Sequence, residues 1–211
     1  MPVLRAVCFD LDGTLLDSLA AHHNVYRRVF ADLELPFPEG EYRRYYSPNW
    51  YIFYERMGVP RERWEEADAL WLRYYQDEAP RARPGAHDVL AAIRASRRRL
   101  GLVTAGDRSR VERDIRRAGW GAVFDVVVCG GDVAERKPLP GPLRRALEVL
   151  AVEPAVSLYV GDTEEDIAMG KAAGTVTAAV LGGFASPEVL ASADPDYLLE
   201  SLRELLPLLA R

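Results

Sequence analysis

Cysteine is nearly absent: 211 residues carry two, Cys8 and Cys129. Cys8 lies in an apolar run that reads as a buried strand and Cys129 ends another. Free thiols in a reducing compartment are therefore expected, not a disulfide framework. No apolar run approaches the ~20 residues of a membrane-spanning helix. The opening Met1-Pro2-Val3-Leu4-Arg5 has no basic region leading into an apolar one. A soluble cytoplasmic protein with no membrane partner is the expectation. An excess of positive charge is lacking too. The formal net charge of -5 argues against a nucleic-acid surface, and Arg97-Arg98-Arg99 reads as a solvated helix end. Internal repeats and low-complexity linkers are absent. Lysine is the rarest absence of all: among 27 Lys and Arg residues only Lys137 and Lys171 are lysine.

What is present is enough apolar material for a core. At 49% hydrophobic, the chain suits one domain with a large insertion, or two unequal domains. The stretch Val7-Cys8-Phe9-Asp10-Leu11-Asp12-Gly13-Thr14 stands out. A mostly apolar strand ends in two aspartates, at the position where open α/β sheets bind ligands. Asp10 and Asp12 can turn toward one point only if the strand ends there, and Gly13 allows the sharp exit. Adjacent carboxylates repel, so ionising both is costly without a cation. Three chemistries are open: a hard-metal site, an acid/base pair, or a carboxylate nucleophile beside a proton donor. A plain polar turn would be the better reading of an isolated D-x-D.

After Thr14 the pattern becomes helical. Asp17 or Ser18 can cap a helix carrying Val25, Tyr26, Val29, Phe30 and Leu33 on one stripe. A short helix is expected near Glu39 and a longer one over 61–78, with no strand between 19 and 79. From Pro84-Gly85 onward helices and strands alternate. Helices are expected at 86–98, 107–118, 142–150, 163–173 and 198–209, and strands at 100–104, 125–129, 156–161 and 175–181. This alternation predicts an α/β fold: a doubly wound parallel sheet with an all-helical insertion after the first strand. The division is 1–15 and 83–211 for the core and 16–82 for a helical cap.

The strand ends gather chemistry. The first gives Asp10 and Asp12, the second Thr104 with Ala105-Gly106. A loop after the third carries Lys137-Pro138, and the fourth gives Gly161-Asp162 with Asp166 one turn on. Such convergence of charge is costly without partners, and a phosphate with a divalent cation would supply them. The order D-x-D-G-T, hydrophobic-T-x-G, K-P and G-D-x-x-x-D resembles the four motifs of the haloacid dehalogenase superfamily. More closely, it resembles the phosphoglycolate phosphatase-like branch with its helical cap. Arg83-Pro84-Gly85, Phe124-Asp125 and Ala193-Asp194-Pro195-Asp196-Tyr197 extend the likeness over essentially the whole chain. Ala105 departs from it, since many relatives carry a polar residue there.

The resemblance implies a Rossmann-like core and a role for each residue. Asp10 matches the nucleophile that forms an aspartyl-phosphate. Asp12 matches the acid/base, and its backbone carbonyl a metal ligand. Asp162 matches a metal-ligating carboxylate, with Mg²⁺ expected on hard oxygen ligands. Thr104 and the Ala105 N–H would hold the phosphoryl group. Lys137 would hold Asp10 and phosphate together as a compact point charge. Asp166 would support the metal waters or pair with Lys137. Lys171 matches no motif residue and reads as solvent-facing.

An aspartate at position 12 separates phosphoester transfer from dehalogenase and phosphonatase chemistry in that family. The insertion can close over the site, which points to a small phosphorylated metabolite. His22, His23, Asn24, Arg27 and the 42–56 region are cap-side candidates for substrate contact, although surface or cap-core roles suit each of them better individually. A phosphatase is the leading reading. A phosphosugar mutase resembling β-phosphoglucomutase and a catalytically idle phosphate-binding protein are the rivals. A dinucleotide-binding oxidoreductase is disfavoured, since no G-x-G-x-x-G turn follows the first strand.

Overall fold

The computed structural model describes residues 3–209, so the ends of the expected core, 1–2 and 210–211, lie outside the described residues. The chain begins with β1 (Ala6–Phe9) and a two-residue β2 (Leu16–Asp17). Four helices follow: α1 (Leu19–Asp32), α2 (Tyr42–Tyr45), α3 (Trp50–Arg56) and α4 (Trp64–Tyr75). A short β3 (Arg81–Ala82) returns the chain. Then come α5 (Ala86–Ala95), β4 (Arg99–Val103), α6 (Arg108–Arg117), β5 (Val126–Val128) and α7 (Gly141–Leu150). The chain closes with β6 (Ser157–Gly161), α8 (Glu164–Ala173), β7 (Val176–Val180), α9 (Pro187–Ser192), β8 (Tyr197–Leu199) and α10 (Leu205–Leu209).

Six of the strands form one parallel sheet in the order β5-β4-β1-β6-β7-β8. β1 lies inside it, pairing Phe9 with Leu102 on one side and Val160 on the other. From β1 the chain builds outward through β4 and β5, then crosses back to build through β6, β7 and β8. The carboxyl end of β1 is thus the point where strand order reverses, and an open sheet leaves a crevice there. Alternation along β1 feeds both faces. Val7 and Phe9 join Leu90, Ile93, Val111 and Ile115 from α5 and α6. Ala6 and Cys8 join Leu143, Leu147 and Met169 from α7 and α8. A strand buried on both faces needs an unbroken apolar run, which Ala6–Phe9 supplies.

The carboxyl-terminal helix expected at 198–209 is corrected. Its first residues form β8, pairing Leu199 with Val180 and Tyr197 with Ala178 on the open edge of β7. Only Leu205–Leu209 is α-helical, after a 3₁₀ turn at Leu202–Glu204. The leucine-rich pattern suits a helix, but the unpaired N–H and C=O groups along β7 make strand pairing the better use of this backbone. The helix α9 was not anticipated either. Ser186 caps it, accepting from the Val189 N–H, with Pro187 in the first turn.

The helical insertion starts and ends on an antiparallel ribbon, Leu16 opposite Ala82 and Asp17 opposite Arg81. Its helices bury a cluster of their own, including Val25, Phe30, Phe53, Tyr54 and Tyr75. One residue of the sheet layer joins it: Phe184, from the loop after β7, stacks on Tyr46 with ring centroids 3.9 Å apart. Polar contacts reinforce this seam. Arg43 donates to the Gly183 carbonyl at 2.5 Å, and the Ser47 hydroxyl donates to Glu165 Oε1 at 2.8 Å.

Glu165 is buried, with its second oxygen unpartnered among the described residues. Burial, then neighbouring Glu164, pushes its carboxyl up to about 7. Because the folded value lies above the unfolded one, the unfolded chain gives up this proton first as pH rises. Stability is therefore full at acidic pH and declines toward pH 7. In metal-free buffer Glu165→Gln should raise the unfolding midpoint at pH 8 by about 2–4 °C, the shift ~1 kcal/mol produces at this length. At pH 5 the two midpoints should nearly coincide; an equal gain at both pH values would exclude the titration as the cause.

Candidate active site

Every residue singled out in the strand-end motifs lies at the carboxyl end of the sheet. Asp10 follows β1, and Gly13 takes φ +78°, a left-handed conformation that lets the loop double back. A Cβ on Gly13 would also sit 2.2 Å from Asp162 Oδ2, so the turn and the acidic site exclude a side chain together. At the end of β6, a Cβ on Gly161 would meet the Asp166 side chain at 2.3 Å. Asp166 occupies that space because it caps α8. It accepts from the Thr163 N–H while Thr163 Oγ1 accepts from the Asp166 N–H, a reciprocal capping box.

Lys137 is the hub. Its Nζ donates to Asp10 Oδ1 at 2.6 Å and to Asp166 Oδ1 at 2.7 Å, with the side chain 2% exposed. Of the two roles open to Asp166, the structure realises the pairing with Lys137. Tyr159 donates to the same Asp166 oxygen at 3.0 Å, and Oδ2 takes bonds from Thr163 and the Asp162 N–H. Burial alone would drive the ammonium to deprotonate; Asp10 and Asp166 reverse that and raise it above the ordinary lysine range.

Asp162 Oδ1 accepts from the Thr14 hydroxyl at 2.7 Å, and Oδ2 from the Phe184 N–H at 2.8 Å. Burial, then Asp166, pushes Asp162 up to about 7. Asp10 is likewise held well above the carboxylate range, by burial first, against the pull of Lys137. The carboxylates of Asp10, Asp162 and Asp166 offer oxygens within 4.8 Å of one another. Three buried acids served by one ammonium leave an excess of negative charge. A hard divalent cation fits that excess and those donors. Among the described residues Asp10 keeps Oδ2 free of protein donors and Asp162 takes one donor on each oxygen, whereas Asp166 takes two donors on Oδ1 and three on Oδ2, so Asp10 and Asp162 keep the greater acceptor capacity for it.

Asp12 is dressed differently. Arg110, on α6, donates to Oδ1 at 2.9 Å and to Oδ2 at 2.6 Å. His22 Nε2, on α1, lies 3.2 Å from Oδ1. Burial pushes Asp12 up, but Arg110 and His22 outweigh it and hold the carboxyl well below its usual range. Arg110 is backed by Asp114 at 3.4 Å and lies over the Tyr75 ring at 5.1 Å. Of these residues only His22 had a place among the cap-side candidates. Arg110 was invisible in a helix where arginines recur every one to three residues, because nothing local shows which one turns inward.

Thr104 and Ala105 line the same cavity as Asp10 and Asp12, of about 200 Å³. The Thr104 hydroxyl accepts from the Gly106 N–H at 3.1 Å, which fixes the turn after β4. The helical layer closes the other side with Tyr26, Tyr46, Trp50, Tyr54 and Trp71. His23 packs instead against Phe37 and Tyr42, inside the helical layer. Lys171 is half exposed and donates to the Ala193 carbonyl, away from these motifs.

Comparison with known proteins places this geometry. A family model described as haloacid dehalogenase-like hydrolase matches residues 7–180. The pyrophosphatase PpaX of Bacillus velezensis is 31% identical over 211 residues, covering 96% of this chain and 95% of that protein. Among solved structures, a haloacid dehalogenase-like hydrolase, SP0104 from Streptococcus pneumoniae, superposes with a TM-score of 0.87 at 24% identity, covering 99% of both chains. A variant of CbbY from Rhodobacter sphaeroides, solved with xylulose-1,5-bisphosphate, gives 0.82 at 25% identity, covering 96% of both. With its parallel sheet, its helical insertion and the match over most of its length, the chain belongs to the haloacid dehalogenase-like hydrolases.

Proposed function

We propose that the protein is a Mg²⁺-dependent phosphatase that hydrolyses a small phosphorylated metabolite through an aspartyl-phosphate. The observation that carries this reading is the unequal dressing of two adjacent carboxylates. Asp10 shares an ammonium with Asp166 and keeps free acceptor capacity. Asp12 takes both terminal nitrogens of the Arg110 guanidinium and faces the His22 imidazole. Two acids whose environments push them apart suit two different roles. Relatives of this chain carry phosphatase names, PpaX among them.

In the proposed first step an Asp10 oxygen attacks phosphorus, and the bond from phosphorus to the leaving oxygen breaks. That oxygen takes a proton from Asp12. In the second, water attacks phosphorus as Asp12 takes its proton, the bond from phosphorus to the Asp10 oxygen breaks to return the carboxylate, and inorganic phosphate leaves. Asp10, Asp162 and the Asp12 carbonyl would hold the cation. When bound, it would supply the positive charge that ionises Asp10 and offsets charge building on the phosphoryl oxygens. Thr104 and the Ala105 N–H would orient the phosphoryl group beside Lys137. The bidentate Arg110 pair fits Asp12 as the base of the second step; donating a proton in the first requires Asp12 to leave Arg110. Residues 1–15 and 83–211 would form the core and 16–82 a cap, with the ribbon Leu16–Asp17 and Arg81–Ala82 as its hinge.

Three measurements test this. Asp10→Asn should lower phosphate release by at least about 10³-fold with folding intact; retained activity removes Asp10 as nucleophile. Lys137→Arg should lower kcat by about 10²-fold, because a planar fork does not fit between oxygens 2.6 and 2.7 Å from one nitrogen. Near-normal rates would refute the point-charge role. Millimolar Mg²⁺ should raise the unfolding temperature of the wild-type protein and not of Asp162→Asn. An equal shift in both would place the cation elsewhere.

A further inference from the structure

The cavity beside Asp10 has four lining carboxylates: Asp10, Asp12, Asp68 and Asp107. Three are accounted for within the protein. Asp10 pairs with Lys137 and Asp12 with Arg110. Asp107 caps α6, accepting from the Ser109 N–H at 2.9 Å and the Arg110 N–H at 3.2 Å. Asp68 is the exception. It lies on α4, on the helical side of the cavity, and accepts the Tyr54 hydroxyl at 2.9 Å. Among the described residues no lysine, arginine or histidine nitrogen comes within 4.0 Å of it, in a chain where 27 residues are Lys or Arg. Asp68 is half-buried, and that burial pushes it above its ordinary range against hydrogen bonds from Tyr54 and Trp50 and the charge of Arg136, a cost that a bound cation would relieve.

Its surroundings are aromatic. Trp50, Tyr54 and Trp71 line the same cavity beside Asp68. Arg136, which does not line the cavity, stacks over the Trp50 ring at 4.2 Å instead of pairing with Asp68. Arg110 lies 5.8 Å from the Trp71 ring centroid, with both terminal nitrogens committed to Asp12. These rings thus already serve as partners of cations. An unpaired carboxylate among aromatic rings has the chemistry that selects ammonium groups, through charge and ring quadrupole together. An anionic leaving group would meet Asp68 with no free cation to receive it.

We propose that Asp68, with Trp50, Tyr54 and Trp71, forms a subsite for a cationic group on the leaving alcohol, so that the preferred substrates are phosphate esters of small amino or quaternary-ammonium alcohols. This rests on the phosphatase reading above. The phosphoryl group would lie against Asp10 and Lys137 on the sheet side. The ammonium would lie against Asp68 on the helical side, and it would supply the counter-charge that the fold leaves out. Asp68 takes no part in bond making; it sets which alcohol is held.

The test compares two esters of one shape that differ in charge: choline phosphate and its carbon isostere, 3,3-dimethylbutyl phosphate. With wild-type enzyme and Mg²⁺, kcat/KM should favour choline phosphate at least tenfold, chiefly through KM. In Asp68→Asn, which can still accept the Tyr54 hydroxyl, the ratio should fall to about two or less. Equal kcat/KM for the two esters in the wild type overturns the subsite and leaves the phosphatase standing, and so does faster turnover of 2-phosphoglycolate or pyrophosphate. If Asp68→Asn does not fold, the wild-type ratio decides alone. Silence on every ester with folding intact removes the phosphatase reading instead. Tryptophan fluorescence then decides the subsite: quenching by choline supports it, and no response overturns it.

Discussion

The bridge from Lys137 to Asp10 and Asp166 is the contact on which the rest of the site depends. One buried ammonium faces two carboxylates from different strand ends, at 2.6 and 2.7 Å. Removing the cation would strand both acids in a low-dielectric interior, where the desolvation cost of an unpaired charge runs to several kcal/mol. The bridge also joins three elements. Asp10 leaves β1, Lys137 sits in the loop after β5, and Asp166 is the third residue of α8, the reciprocal partner of its Thr163 cap. The local rule that starts a helix therefore also orients a residue of the active site. In a chain that otherwise relies on arginine, a small three-donor cation stands where a planar fork would not fit.

The second constraint is charge that the protein leaves unbalanced. Lys137 serves two of the three clustered acids, and Asp162 relies on a hydroxyl and a backbone N–H. Arg110 neutralises Asp12 with ideal fork geometry, and Asp68 has no counter-ion among the described residues. Where the fold could supply a cation cheaply, it has done so. Of the two places left short, Asp162 clusters with Asp10 and Asp166, and Asp68 lines the cavity that Asp10 shares with the helical layer. A protein selected only for stability would have neutralised Asp162 or kept it in water.

The helical layer sits on the site through few contacts of high consequence. Phe184 leaves the loop after β7 to stack on Tyr46, and the adjacent Phe184 N–H holds Asp162. Phe184 thereby ties the packing of the helices to the placement of Asp162. The ribbon of Leu16–Asp17 with Arg81–Ala82 confines both chain crossings to one place. Arg83 braces it, donating to the Gly13 and Leu181 carbonyls.

By itself the sequence determined five of the six parallel strands and the helical insertion, because those follow from periodicity, and it placed the strand-end residues, whose roles are implied by the family resemblance. Asp10, Asp12, Thr104, Lys137, Asp162 and Asp166 were legible through four short motifs in order and the resemblance they carry. Tertiary structure alone decided three things. It turned the tail into β8, because the open edge of β7 outweighs a leucine-rich helical pattern. It selected Arg110 from its arginine-rich helix, because helical spacing is the same for every arginine and only the position of Asp12 distinguishes one. It left Asp68 without a cation, which no local pattern shows. A missing partner is a property of everything that packs around a charge, whereas a motif is a property of its immediate neighbours along the chain.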